Sequence, residues 1–186
     1  IVIEETPETY RVTSTGRMSG LLGWLVGGEA VFETLGRFKK DMFYPDSFRL
    51  KSRSRTRIVT FKVTTPTIDY QTALMRMLAL QKPKTQSFLV DDGRRQMDLS
   101  FLYRGKETIF VQQRDVLCDV YDVTLRRVSG KKGGWFFNRM GNKDDSPLHF
   151  YMGIDPETGR YMLLKADFET TLFGTITISR SDKEKK

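Results

Sequence analysis

The sequence predicts a mainly β fold, in which a large antiparallel sheet curls as an open or half barrel around one central helix at about residues 68–80. Three observations predict this class. Most segments alternate apolar and polar side chains, as strands do, turn signals separate them, and only one segment shows helical spacing. With 186 residues, 39% of them apolar, the chain is long enough for one sizeable core. We therefore expect a single β-rich domain over 1–186 that ends in a short disordered basic tail at 181–186.

The first predicted strands precede the helix. Residues 10–15 alternate regularly, and residues 29–43 have the composition of a long irregular strand. The tripeptide Tyr-Pro-Asp at 44–46 is typical of a turn. A basic strand should follow and continue to Val63.

That basic strand contains the clearest pattern in the chain. Cations occupy every second position within it, at Arg49, Lys51, Arg53, Arg55 and Arg57. A straight strand would align all five on one face, with neighbours about 6.6 Å apart. The pattern thus predicts a ladder for an anionic ligand, such as the phosphates of lipid, lipopolysaccharide or nucleic acid. A solvated outer face of a basic sheet is the alternative, and the pattern favours neither.

The predicted helix has start and stop signals. Pro66, Thr67 and Asp69 are typical of its beginning, and Lys-Pro-Lys at 82–84 ends it. Its apolar residues repeat at intervals of three and four, so one stripe should lie against a sheet. We expect Leu74, Met77 and Leu78 of this stripe to line any apolar cavity, although an ordinary core would look the same.

Strand patterns fill the rest of the chain. Asp92-Gly93 is a strong signal for a two-residue hairpin turn. Further turns are predicted at Gly105 and over 155–159. The remaining predicted strands cover 97–103, 116–128, 148–154, 161–168 and 172–179.

A glycine-rich loop at 131–141 combines aromatic and basic residues. Three adjacent aromatics, Trp135, Phe136 and Phe137, follow Lys131 and Lys132. Alternation fails here, so one sheet face cannot bury all three rings. The loop is therefore a candidate contact for a membrane or a partner, with rings at the headgroup boundary and cations on anionic lipid. The alternative is that Trp135 and Phe137 plug an open end of the sheet.

The residues offer little for catalysis or metal binding. His149 is the only histidine and Cys118 the only cysteine. No Gly-x-Ser-x-Gly motif supplies a nucleophile, and one histidine with one cysteine is too few for a zinc site. The sequence predicts a non-enzymatic protein without catalytic residues, metal or cofactor, in which His149 is structural.

Several motifs resemble one bacterial family. The chain is similar to the envelope family called domain of unknown function 3108 in five segments: 44–48 (YPDSF), 69–74 (DYQTAL), 90–99 (VDDGRRQMDL), 118–121 (CDVY) with 128–130 (VSG), and 159–163 (GRYML) through 173–175 (FGT). A second cysteine that relatives often carry is absent from 81–85. The resemblance implies a secreted protein with a cleaved signal peptide, located in the periplasm or at the outer membrane. It also implies a curved sheet like that of lipoprotein carriers and no known reaction.

The overall charge suggests the partner. There are 31 basic and 23 acidic residues, a net charge of +8, which attracts anionic surfaces. The expected function is a cell-envelope protein that binds an apolar or anionic lipid-type ligand, including lipopolysaccharide, or the membrane surface. The alternatives are an assembly factor that binds another envelope protein and, less favoured, a nucleic-acid-binding module.

Overall fold

The computed structural model describes residues 2–17, 29–39, 42–52, 55–62, 64–80, 82–130, 148–170 and 174–179. Over these residues the fold is mainly β, with antiparallel strands and one helix. The predicted fold class is confirmed. The strands are divided between two sheets, one of five strands and one of six.

The five-stranded sheet is formed by the N-terminal part of the chain. Its strands follow one another in sequence order, and each pairs antiparallel with the next. The strands are β1 (Val2–Glu5), β2 (Thr9–Arg17), β3 (Glu29–Lys39), β4 (Met42–Ser52) and β5 (Arg55–Thr60).

Two boundaries predicted within this sheet are wrong. The predicted long strand over 29–43 is divided, since β3 ends at Lys39 and β4 begins at Met42. The predicted turn at 44–46 lies inside β4 instead. The register shifts there, so that Gly36 faces Pro45 while Leu35 faces Ser47. Such a bulge tolerates a proline within a strand, because the ladder is already interrupted.

The helix α1 (Tyr70–Leu78) starts two residues later and ends two residues earlier than predicted. Asp69 caps it, because its Oδ1 accepts hydrogen bonds from the backbone N–H groups of Gln71 at 2.9 Å and Thr72 at 3.1 Å. Contacts to the five-stranded sheet hold the helix. The hydroxyls of Thr72 and Tyr10 lie 2.8 Å apart, and Thr34 Oγ1 lies 2.7 Å from Asp69 Oδ1. A buried polar network therefore joins α1 to β2 and β3.

The six-stranded sheet also follows the sequence order. Asp92-Gly93 forms the predicted turn between its first two strands, with Gly93 at a φ of 78°. The next hairpin turns at Gln112 and Gln113, whose φ values of 51° and 59° are typical of a type I′ turn. The strands are β6 (Gln86–Asp91), β7 (Arg95–Val111), β8 (Arg114–Gly130), β9 (Leu148–Ile154), β10 (Tyr161–Thr170) and β11 (Gly174–Ser179).

Gly105 lies within β7 rather than in the predicted turn. The Tyr103 ring is 5.4 Å from that of Tyr121, whereas Ile109 packs in a buried cluster with Cys118. Tyr121 and Cys118 belong to opposite faces of β8, so the odd-numbered residues of β7 change face between 103 and 109. Gly105, at a φ of 125°, lies in this interval. A bulge there explains the change of face.

The chain forms two compact units, each built from three segments. Unit 1 comprises Ile1–Met77, Phe88–Asp98 and Arg126–Lys132, and unit 2 comprises Leu78–Ser87, Leu99–Leu125 and Gly133–Lys186. Strands β6, β7 and β8 contribute residues to both units. The single-domain organisation stays a prediction, and the predicted tail at 181–186 lies outside the described residues.

Candidate functional site

The predicted straight basic strand is wrong. Ser52 pairs with Arg55 and Arg49 pairs with Ile58, so the chain reverses direction between residues 52 and 55. Directly paired residues of an antiparallel ladder share a face. Arg49 therefore lies on the face of Ile58, whereas Arg57, paired with Leu50, lies on the other face. The predicted cations do not form one ladder.

On its outward face the five-stranded sheet carries charges of alternating sign. Arg11 contacts Glu4 at 3.4 Å and Glu33 at 3.6 Å, and Arg49 contacts the same Glu33 at 3.6 Å. These four residues belong to four neighbouring strands, with Lys51 exposed beside them. Such exposed ion pairs are typical of a solvated surface. This arrangement agrees with the alternative of a solvated outer face.

Arg57 belongs to a buried ionic cluster instead. Its Nη1 donates to the backbone carbonyl of Asp92 at 3.0 Å and lies 3.8 Å from the carboxylate. Arg95 Nε donates to the same carboxylate at 3.1 Å, and the Asp92 side chain is almost completely buried. Arg57 thus anchors β5 to the β6–β7 turn within unit 1, a structural role.

The other predicted site residues divide into two groups. In α1, Met77 is buried while Leu74 and Leu78 are half-buried, so their role in lining a cavity stays a prediction. The remainder lie outside the described residues, either wholly or, for Arg55, in the side chain. These are Arg53, Arg55, Lys131, Lys132, Trp135, Phe136 and Phe137.

His149 contributes to a polar row on one face of the six-stranded sheet. Its Nδ1 lies 2.9 Å from Asp122 Oδ1, and Arg104 Nε contacts the other oxygen of Asp122 at 2.9 Å. His149 also pairs across strands with Asp167, which holds Lys165 Nζ at 2.6 Å. Each carboxylate of the row therefore has a cationic neighbour. These contacts fit a stabilising role, and the structural role of His149 stays a prediction.

The opposite face of this sheet exposes large apolar residues. Phe110 is 73% exposed, Leu117 58% and Ile154 55%. The neighbours of Phe110 on β7 and of Leu117 on β8 point to the other face, where they form one buried cluster. Phe110 and Leu117 therefore share the exposed side. The cluster residues are Ile109, Val111, Val116 and Cys118.

The strand register makes this surface continuous. Cys118 pairs with Gly153, which places the preceding Leu117 beside Ile154, and Ile154 pairs with half-buried Tyr161. We call Phe110, Leu117, Ile154 and Tyr161 the apolar stripe. It crosses β7, β8, β9 and β10 at the end of the sheet where two hairpin connections lie.

The charges around the apolar stripe are balanced. Lys106 shares the parity of Phe110 on β7, and Asp115 shares that of Leu117 on β8, so one exposed basic and one exposed acidic residue lie on this face beside the stripe. An apolar centre with a mixed polar rim is the usual composition of a protein–protein interface.

A buried carboxylate lies on the same face, two residues beyond Leu117. Asp119 is 8% exposed. It accepts hydrogen bonds from the hydroxyls of Tyr161 at 2.7 Å and Tyr103 at 3.3 Å. Burial, followed by the charge of Asp119, raises the pKa of Tyr121 to about 12. The tyrosines therefore stay neutral and keep their protons at physiological pH.

Sequence reasoning missed both the apolar stripe and Asp119. One signal was present, since Phe110 and Leu117 each have an apolar neighbour of opposite parity, Val111 and Val116. Adjacent apolar residues in a strand indicate that both faces carry apolar side chains. Nothing in the sequence indicates that tyrosines 103 and 161 converge on Asp119, because they lie on different strands.

The described residues show no group of three or more His, Cys, Asp or Glu side chains arranged for a metal ion. Within the same ranges, no helix combines the length and apolarity needed to cross a bilayer. Comparison with protein-family models, with curated proteins and with solved structures gives no match. The resemblance noted from the motifs stays a prediction.

Proposed function

We propose that this chain is a non-enzymatic docking protein that binds another protein through the apolar stripe. The observation that supports it is the continuous exposure of Phe110, Leu117 and Ile154 on one sheet face. Large exposed apolar surfaces with polar rims are typical of interaction sites. For the place of action we propose the cell envelope, on the motif resemblance alone.

The charge distribution favours a protein partner over anionic lipid. Of the 31 basic and 23 acidic residues, 21 and 18 lie in the described part of the chain, so most of the net charge of +8 lies elsewhere. The rim of the apolar stripe is balanced, and the outward face of the other sheet carries ion pairs. Neither described surface attracts phosphate strongly.

The apolar stripe can contribute to the affinity for a partner, but association also costs about 4–15 kcal/mol in lost freedom of motion, which the rest of the interface must help to offset. Full burial of a leucine, isoleucine or phenylalanine side chain stabilises a complex by about 1.5–3 kcal/mol. Phe110, Leu117 and Ile154 each keep more than half of their exposure available for burial. Together they would supply roughly 3–5 kcal/mol. An aspartate at position 117 would remove part of this stabilisation and would place an unpaired charge in the interface.

Photo-crosslinking tests the proposal. The photoreactive residue p-benzoylphenylalanine replaces Phe110 in one variant and Ile58 in the control, in cells that make this chain. Ile58 is 58% exposed on the five-stranded sheet. We expect a discrete protein adduct from position 110 only, which mass spectrometry identifies and which is then purified.

Affinity measurements with the purified partner complete the test. Leu117→Asp should weaken binding at least about tenfold, which corresponds to 1.4 kcal/mol. Ile58→Asp, at a position of equal exposure, should leave the affinity unchanged. Equal effects of the two substitutions would contradict the proposal. So would flotation of the purified chain with lipid vesicles that depends on Leu117, because the apolar stripe would then be a membrane contact.

A further inference from the structure

Asp119 lacks a cationic partner in the described part of the chain. No described Lys, Arg or His nitrogen lies within 4.0 Å of its carboxylate oxygens. By contrast, Asp92 holds Arg95, and Asp122 holds Arg104. A buried carboxylate without a countercharge is costly, and here two phenol hydroxyls provide the only compensation in the described residues.

The negative charge of Asp119 affects the pKa values of the surrounding side chains. Burial first, and then this carboxylate, raises the pKa of Tyr103 and of Cys118. For Tyr161 the hydrogen bond to Asp119 raises the pKa further. Tyr103 and Tyr161 direct their protons towards the carboxylate, so their remaining hydrogen-bonding capacity is as acceptors. Their oxygens can accept a donor and the carboxylate attracts a cation, whereas the Tyr121 hydroxyl beside Tyr161 keeps a proton that it can donate.

The edge of this spot reaches the surface and adjoins the apolar stripe. Tyr103 and Tyr161 are half-buried, so part of each side chain meets solvent. Tyr161 pairs with Ile154 and thus belongs to the apolar stripe itself. A partner seated on Ile154 and Leu117 would place its next side chain against the two tyrosines.

We infer that the partner inserts a cationic side chain, an arginine or a lysine, between Tyr103 and Tyr161 and towards Asp119. This inference rests on the proposed docking function and names the chemistry of the docked surface. The carboxylate supplies the charge, and the phenol oxygens supply acceptors at its edge. Aromatic rings beside the cation add a further attraction. The apolar stripe then provides affinity. Asp119 provides specificity, because a partner without a cation at this position would leave the carboxylate buried and unpaired.

Two small probes of matched shape test the inference on the purified chain. Nα-acetyl-arginine amide is cationic, and Nα-acetyl-citrulline amide is its neutral analogue. Each is titrated while the backbone amide NMR shifts are followed. We expect the arginine probe to bind about fivefold more tightly than the citrulline probe, as for a partly exposed charge pair. The shifts should centre on residues 103, 119 and 161.

Two variants assign the effect to the carboxylate. Asp119→Asn should bring the two probe affinities together. Tyr161→Phe removes a hydroxyl but keeps the charge, so the preference for arginine should persist. Equal affinities in the wild type would overturn the inference, as would a preference that survives in Asp119→Asn. If Asp119→Asn does not fold, the wild-type comparison and its shift map decide, because shifts centred elsewhere also overturn the inference.

The outcomes separate this inference from the proposed function. Crosslinking at Phe110 and the loss of affinity with Leu117→Asp depend on the apolar stripe and not on the charge of Asp119. If partner binding depends on Leu117 but the two probes bind with equal affinity, the docking function stands and only the cation site is refuted.

Discussion

Replacing Asp69 with asparagine should make the free energy of unfolding less dependent on pH. The Asp69 carboxyl is fully buried at the start of α1 and receives no ion pair among the described residues. Thr34 Oγ1 lies 2.7 Å from Asp69 Oδ1 and 2.8 Å from Gln71 Oε1, but it has only one proton to donate. A proton on the carboxyl supplies the missing donor. Asparagine is neutral and caps helices about as well as aspartate.

The sign and size of the effect follow from burial. Burial raises the pKa of Asp69, although hydrogen bonds from Thr72 and Thr34 oppose it. A raised folded-state pKa means that ionisation opposes folding. The stabilisation is therefore complete below the unfolded value of about 3.9 and is lost as the pH rises through the folded-state pKa. A tenfold change in the ionisation equilibrium of a carboxyl corresponds to about 1.4 kcal/mol in the free energy of unfolding.

Urea denaturation between pH 3 and pH 7 measures this dependence. The unfolding free energy of Asp69→Asn, relative to wild type, should increase from pH 4 to pH 7. Asp167→Asn is the control of opposite sign. Burial would raise the pKa of Asp167, but hydrogen bonds from Lys165 and Thr177 keep it below its usual value. Asp167 stabilises the fold above about pH 4 and loses this effect as the pH falls.

The reasoning about Asp69 has a definite refutation. A constant difference between Asp69→Asn and wild type from pH 4 to pH 7 would show that burial does not shift its ionisation. A difference that decreases over the same range would show that the fold prefers the carboxylate. In either case the polar network around α1 would have to be assigned with an ionised cap.

Two further substitution pairs test the packing of unit 1 and its backbone strain. Gly130→Ala should destabilise the protein by about 1–3 kcal/mol in urea titrations, because its φ is 93° and a Cβ would lie 2.3 Å from a backbone oxygen. The control Gly159→Ala, also at positive φ but in open space, should cost about 1 kcal/mol. Equal costs would contradict a steric clash at Gly130. Arg57→Ala should destabilise by about 1–3 kcal/mol because it removes a donor to buried Asp92. Lys51→Ala, at an exposed position, should stay within about 0.5 kcal/mol. Equal costs would show that these two cations have equivalent roles.

Local signals in the sequence predicted the elements that depend on local chemistry. Pro66, Thr67 and Asp69 predicted the start of α1 to within two residues, and Asp69 caps the helix because its side chain accepts the free N–H groups of the first turn. Asp92-Gly93 predicted the β6–β7 turn, because glycine adopts positive φ without strain. Alternation predicted the strands around them. Each of these signals acts within a few residues.

The basic residues show where alternation fails. Because Ser52 pairs with Arg55, odd-numbered residues of β4 share a face with even-numbered residues of β5. Arg49 and Arg57 keep the same parity and yet lie on different faces. The sequence has no glycine, proline or asparagine between Ser52 and Arg55, so the alternation of basic residues looks continuous. The apolar stripe was equally hidden, since Val116 and Leu117 are both apolar and only tertiary packing selects which is buried.

The division of unit 1 into Ile1–Met77, Phe88–Asp98 and Arg126–Lys132 has a practical consequence for protein engineering. An N-terminal fragment that stops at residue 87 lacks the segment with Asp92, the carboxylate that Arg57 contacts. It also lacks Gly130, which packs against Arg95. No single cut releases this unit intact, so deletion mapping would misassign its properties.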